Sequence, residues 1–358
     1  MTTSTDTMTS DDLIGSPLYQ VNVVLWMTQP NNGARVAPVL ARAGYDTLYI
    51  ERRLEMPIQV QNAMKKAGLH FVNPPSPDLL LAGKKKAFAI IECKKTMFGA
   101  SSSVAPQARS LLVQAPRVFE AALAKPGGSV SETHVIYLTR SELGRDQLQG
   151  LTELQAELKA AKIAVTSCGL LTLAAVTDGV ELSALGSVPP GIAEQVDKPV
   201  KVHEFVPGTD PRPLYIIPWL PDSESDRDEY NRRAFAERVK ASAAEIIARA
   251  RTGEDVEIKL GAIISKTTLG FSEKWMNNAA KKRLRQETKA VLEPRFREAA
   301  KKVAVLSLPN ADGWTITLKD DDTREIVMDA LRGVDPAVDY RQLPLISQST
   351  DDAPEPVG

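Results

Sequence analysis

The chain has 358 residues, 43% of them hydrophobic and 25% charged, with a formal net charge of -1. That length allows one large domain or two ordinary ones, and that composition supplies a core without disulfide or metal staples. Two distant cysteines, Cys93 and Cys168, and three scattered histidines, His70, His134 and His203, exclude a cysteine-based zinc site and suit a reducing cytosol.

The opening MTTSTDTMTSDD is polar and acidic, with no basic segment of a signal peptide, and residues 1–14 are expected to be disordered. No apolar run approaches the roughly 18 residues of a membrane span. The expectation is a cytoplasmic protein with no membrane partner. YQVNVVLWM (19–27) reads as a strand closed by the turn-rich TQPNNG. ARVAPVLARAG (34–44) and PIQVQNAMKKAG (57–68) read as helices, the second with proline at its start and glycine at its end.

PDLLLA, a glycine-lysine turn (Gly83 to Lys86) and AFAIIECKK then read as a hairpin. A helix over 104–124, a strand over 133–140, a helix over 148–162 and a short strand over 163–168 follow. Alternating strands and helices imply an α/β layer architecture with a mixed sheet, placed here at 15–185. Proline, glycine and acids between 186 and 228 mark a linker, within which LYIIPWL is expected to pack on a neighbour.

A second unit is expected over 229–340, followed by a disordered tail, 341–358. Its elements are a helix over 229–250, the strand VEIKL, the turn SKTTLG, a basic helix SEKWMNNAAKKRLRQET capped by Ser272, a further helix over 288–303, and a hairpin around Ala311-Asp312-Gly313.

The hairpin carries the chemistry. Alternation sends Ile90, Glu92 and Lys94 to one face and Ile91 and Cys93 to the other. A five-residue loop, Ala82 to Lys86, sets Leu81 opposite Ala87 and Asp78 opposite Ile90, on the Glu92 face; a two-residue loop reverses the face. AGKKK lacks the Asn-Gly or Asp-Gly pair of a tight hairpin, which favours the longer loop. Two carboxylates and an ammonium then converge. Close carboxylates repel, and a hard divalent cation relieves that repulsion while polarising a phosphodiester and acidifying a water. Desolvation beside a cation is expected to lower the Lys94 pKa towards general-base range.

Pro77-Asp78, a 13-residue spacer and Glu92-Cys93-Lys94 at the end of an apolar strand resemble the signature of the PD-(D/E)XK nuclease superfamily. The resemblance covers residues 40–170. It implies a restriction-endonuclease-like mixed sheet flanked by helices and a Mg2+ (or Mn2+) site on Asp78, Glu92 and the Cys93 backbone carbonyl. It also implies that Lys94 is the catalytic lysine. Some members carry a further glutamine on the following helix, which Gln107 matches, and an upstream glutamate, for which Glu51 and Glu55 are candidates. The family further suggests DNA hydrolysis in a prokaryotic restriction or antiviral defence setting, as a homodimer or in a larger complex.

Charge is segregated in the second unit. Residues 258–305 hold twelve Lys or Arg against four acids, a local +8 in a chain of net charge -1. Helix, strand, helix, turn, basic helix and hairpin is the order of a winged helix, a mainly helical DNA-binding module. In that reading Lys281, Lys282, Arg283 and Arg285 meet phosphates and Asn277 or Asn278 meets bases. Rival expectations are a regulatory subunit that binds DNA without cutting it, and an RNA nuclease.

Overall fold

The computed structural model describes residues 10–30, 35–97, 99, 101–123, 130–209, 211–220, 229–309 and 312–333. It begins with three helices, α1 (Ser10–Gly15), α2 (Pro17–Met27) and α3 (Val39–Arg42). Next come strand β1 (Asp46–Ile50), helix α4 (Ile58–Lys66) and strands β2 (Leu79–Ala82) and β3 (Ala87–Cys93). Helices α5 (Ala105–Leu112) and α6 (Pro116–Leu123), strand β4 (Glu132–Arg140) and helix α7 (Gly144–Ala160) continue the layer. Strands β5 (Ser167–Val176) and β6 (Gly179–Gly186), helix α8 (Pro190–Gln195) and strand β7 (Val200–Glu204) complete it.

The seven strands form one mixed sheet in the order β1-β2-β3-β4-β5-β6-β7. The central β3, β4 and β5 run parallel, and the pairs on either side are antiparallel. Two successive crossovers stepping the same way put their helices on the same face, because parallel crossovers are right-handed. Thus α5, α6 and α7, with α4, bury Leu80, Ile90, Val135, Tyr137 and Leu170 on that side. The other face, with Leu79, Leu81, Ile91, Ile136 and Leu171, is covered by α1, α2, α3, α8 and the C-terminal elements.

The chain then forms α9 (Glu229–Arg249), β8 (Glu254–Lys259), α10 (Leu260–Thr267), α11 (Phe271–Lys274) and α12 (Asn278–Ala299). β9 (Val305–Ser307), β10 (Gly313–Leu318) and α13 (Asp321–Arg332) follow. β8, β10 and β9 make an antiparallel three-stranded sheet with β10 in the middle.

Several expectations change. Residues 19–27 are helical, not a strand. Ser16 caps α2 by accepting from the Tyr19 N–H, and Pro17 opens its first turn. The helix is buried on all sides, so no polar stripe reveals its period. Residues 10–14, expected to be disordered, lie in α1 with Leu13 and Ile14 fully buried; residues 1–9 and the tail 341–358 lie outside the described residues.

The stretch 186–204, expected to be linker, holds α8 and the seventh strand; Pro190 starts a helix there rather than breaking one. LYIIPWL packs as expected. The Asn22 side chain donates to the Ile217 carbonyl and accepts from the Ile217 N–H, both at 3.0 Å, and Ile216 and Ile217 are fully buried.

The helix over 104–124 is two, divided before Pro116. The basic helix begins at Asn278, not at Ser272, because Asn277 accepts from the N–H groups of Ala279 and Ala280. It also continues without interruption to Ala299, so the separate helix 288–303 is part of α12. Among the described residues no helix is long and apolar enough to cross a membrane.

Candidate functional site

The β2–β3 register differs from the expected one by two residues. Leu79 pairs with Ile91, Leu80 with Ile90, Leu81 with Ala89 and Ala82 with Phe88. Continued by one residue, this register sets Asp78 opposite Glu92 rather than Ile90. A shift of two preserves the face, because side chains alternate with period two, so the convergence survives the change of register. The turn tightens because the Gly83 N–H donates to the Ala87 carbonyl at 2.8 Å and Lys85 and Lys86 take up left-handed conformations. Lys84–Lys86 therefore sit at the start of β3, at the opposite end of the strand from Glu92.

At that far end the site assembles. Glu92 is 2% exposed. Its Oε1 accepts from Lys94 Nζ at 2.6 Å and from Gln107 Nε2 at 2.7 Å. Its Oε2 is buried and has no hydrogen-bond partner among the described residues. Asp78 Oδ2 accepts from the Cys93 N–H at 2.7 Å. Asp78, Glu92, Lys94 and Gln107 are thus brought together as expected, Gln107 from the first turn of α5. The Cys93 thiol lies on the opposite face, in the core.

Burial raises the Glu92 pKa to about 8, with the Asp78 charge adding to the rise and Lys94 opposing it. Asp78 is raised by burial too, against the Cys93 N–H and the Lys94 charge. Burial lowers Lys94, but the charge and hydrogen bond of Glu92, with Asp78, outweigh it and leave the ammonium raised. The expected fall towards general-base range is therefore absent from this geometry, because the nearest charge is a carboxylate. Two carboxylates held at elevated pKa, one with an orphaned buried oxygen, form a site that a divalent cation would stabilise in its ionised form.

The upstream acids behave differently. Glu51 follows β1 with φ +51° and gives its N–H to the Asp78 carbonyl at 3.0 Å, but its Oε2 accepts from Trp275 Nε1 at 2.8 Å. Glu55 is exposed and shares no hydrogen bond with the Asp78–Glu92 group among the described residues. No group of three or more His, Cys, Asp or Glu side chains suited to a metal ion occurs among those residues. The oxygen donors that the side chains offer at this point are therefore the two carboxylates of Asp78 and Glu92. A magnesium-type cation commonly uses such a set, completing its shell with water and phosphate.

Two residues near the site escaped sequence reasoning. Gln20, on α2, donates through Nε2 to the Lys94 carbonyl at 3.3 Å and to the Ile14 carbonyl at 2.8 Å, supporting the strand end from behind. Its helix was hidden by valines, although Ser16-Pro17 was a legible helix start. Tyr137, in register with Glu92 across β3–β4, is buried beside it; a tyrosine inside an apolar strand carried no separate signal.

The basic segment is more neutralised than its sequence suggests. Acids from outside 258–305 pair with four of its cations: Glu257 with Lys259, Glu245 with Lys266, Asp46 with Lys274 and Asp312 with Arg285. Arg283 lies over the Trp219 ring, 4.4 Å from its centroid, and 3.9 Å from Glu287. Of the expected DNA-contact residues, Lys281 and Lys282 have no acidic partner among the described residues, Asn278 is exposed at the start of α12, and Asn277 is engaged as its cap. No protein-family model, curated protein or solved structure matches this chain.

Proposed function

We propose that the chain is a metal-dependent nuclease of the PD-(D/E)XK type, acting on DNA and using Mg2+ or Mn2+. One observation carries the reading. Asp78 and Glu92 face each other at the ends of paired strands, with Lys94 and Gln107 on one Glu92 oxygen while the other is buried without a hydrogen-bond partner among the described residues. An unpaired buried carboxylate oxygen costs about 1 to 3 kcal/mol or more, which a coordinated cation would offset.

In this reading Asp78, Glu92 and the Cys93 carbonyl would hold the cation, whose chemistry when bound would be Lewis-acid polarisation of the phosphodiester and acidification of a water. Gln107 fixes the Glu92 carboxylate in one orientation, and the Cys93 N–H does the same for Asp78. Lys94 stays protonated and faces the phosphate as a positive charge, stabilising the negative charge that develops on its oxygens. The apolar shell of Tyr137, Ile90 and Leu80 limits solvent around the carboxylates and strengthens each of these interactions.

The restriction-endonuclease-like fold assignment is supported by a mixed sheet whose site lies where an antiparallel hairpin meets the parallel strands. A winged-helix assignment for the C-terminal unit is supported by the order α9, β8, α10, α11, α12, β9, β10, in which the short α11 is an addition to the winged-helix order, and by the sheet order β8-β10-β9. DNA would lie along the exposed side of α12, where Lys281 and Lys282 offer unneutralised charge to phosphates. The test is incubation of the protein with plasmid, linear and single-stranded DNA and with RNA, in Mg2+, in Mn2+ and in EDTA, beside Lys94→Ala. Cation-dependent cleavage of DNA that Lys94→Ala lowers by about 100-fold or more is the expected result. Preference for RNA would reassign the substrate. Binding without cleavage on every substrate and cation would replace the enzyme with a non-catalytic DNA-binding subunit.

A further inference from the structure

The candidate site is tied to the C-terminal unit by a short series of hydrogen bonds. Asn277 caps α12. The next residue back, Met276, donates its N–H to the Ile50 carbonyl at 2.8 Å, and Trp275 forms a parallel bridge with Ile50. The Trp275 indole, fully buried, donates Nε1–H to Glu51 Oε2 at 2.8 Å. Glu51 donates its own N–H to the Asp78 carbonyl at 3.0 Å, and Asp78 Oδ2 accepts from Cys93. Lys274 adds an ion pair to Asp46 at the other end of β1, with its Nζ 3.2 Å from Oδ1.

Glu51 holds a backbone conformation that L residues rarely adopt, φ +51°. A glutamate remains in such a conformation only where its surroundings over-determine it. Here the indole fixes the side chain and the β1–Met276 contact fixes the residue before it. The consequence is an N–H aimed at the backbone of the residue that carries the Asp78 carboxylate.

We propose that Glu51 and Trp275 are positioning residues. Through them the C-terminal unit sets the place of Asp78 opposite Glu92, and Glu51 is a tether rather than a third cation ligand. The inference rests on the metal-dependent reading of the Asp78–Glu92 site. It also makes the seating of α12, the helix proposed to meet DNA, a condition for a competent cation site. Groups that orient ligands from outside the coordination shell commonly change metal affinity by about 10- to 100-fold when removed.

The test compares Glu51→Ala, Glu51→Gln and Trp275→Phe with the wild type by calorimetric titration with Mn2+, alongside thermal melting and DNA binding in EDTA. Glutamine keeps an acceptor oxygen for the indole N–H. The expected result is Mn2+ affinity about tenfold or more weaker in Glu51→Ala, close to wild type in Glu51→Gln, and DNA affinity in EDTA unchanged in both. Trp275→Phe, if it folds, should match Glu51→Ala. Equal loss in Glu51→Gln and Glu51→Ala would make Glu51 a ligand and overturn the proposal. Lower melting temperature with unchanged Mn2+ affinity would leave only a structural contact and overturn it too. A wild type that binds no Mn2+ would instead remove the metal-dependent reading itself, and the tether with it.

Discussion

Glu92 is buried with its pKa raised to about 8, so in the cation-free protein it opposes folding once ionised. A folded-state pKa above the unfolded one gives a contribution fully present below the unfolded value, about 4.5, and lost as pH rises through about 8. In EDTA, urea denaturation should show stability falling between pH 5 and pH 8 by on the order of a few kcal/mol, and Glu92→Gln should flatten that slope. The same slope in wild type and variant would mean that Glu92 does not carry it. At this scale the sequence was legible. Asp78, Glu92, Lys94 and Gln107 were picked out by type and spacing, because a carboxylate and an ammonium ending an apolar strand need a reason to be there. The Glu51–Trp275 contact was not legible, since it joins residues 224 positions apart. Nor was the exact partner of Asp78. Alternation fixes the face, but the loop conformation fixes the register, and two consecutive left-handed lysines are not a pattern the sequence advertises.

Among the elements, α2 shows how a wholly buried helix resembles a strand. Val21, Val23 and Val24 favour extended structure by propensity, and burial on all sides removes the helical stripe. Tertiary contacts decide the matter, through Gln20 behind the site and Asn22 against Ile217. Asn22→Leu would leave the buried Ile217 N–H and carbonyl unpaired. The expected loss is about 2 to 4 kcal/mol by urea denaturation, and a loss below about 1 kcal/mol would show that the segment finds other partners. The β5–β6 hairpin was missed for a different reason. Its turn signal, Asp178-Gly179 between two alternating runs, is present, but the expected strand ends at Cys168, eight residues before the observed end at Val176. By contrast α4, β4 and the β2–β3 hairpin carried their own start and stop residues, and they stand close to where those residues put them.

For the whole molecule, the expected division into two units joined by a linker understates how much they share. One buried cluster runs from Leu13 to Leu331 and includes Ile50, Ile217, Trp219, Phe235, Phe271 and Trp275. Trp219 stacks edge-on against Phe235, 5.6 Å between centroids, and Arg283 lies over its ring. A chain ending at Leu220 would therefore expose the side of the sheet that the C-terminal elements cover. It should melt at a markedly lower temperature or aggregate, as followed by calorimetry and size-exclusion chromatography; an equal melting temperature would indicate independent units. Local charge was legible in sequence as a segregated +8, and Glu257 meets Lys259 within β8, but its neutralisation by Asp46, Glu245 and Asp312 depends on packing between distant segments. The central claim is that the facing carboxylates of the β2–β3 hairpin form a divalent-cation site. Calorimetric titration with Mn2+ near pH 7.5 tests it without any choice of nucleic acid. The wild type should bind roughly one cation per chain, Asp78→Asn and Glu92→Gln should abolish binding, and Lys94→Ala should retain it. Undiminished Mn2+ binding in Asp78→Asn and Glu92→Gln, or none in the wild type, would contradict it.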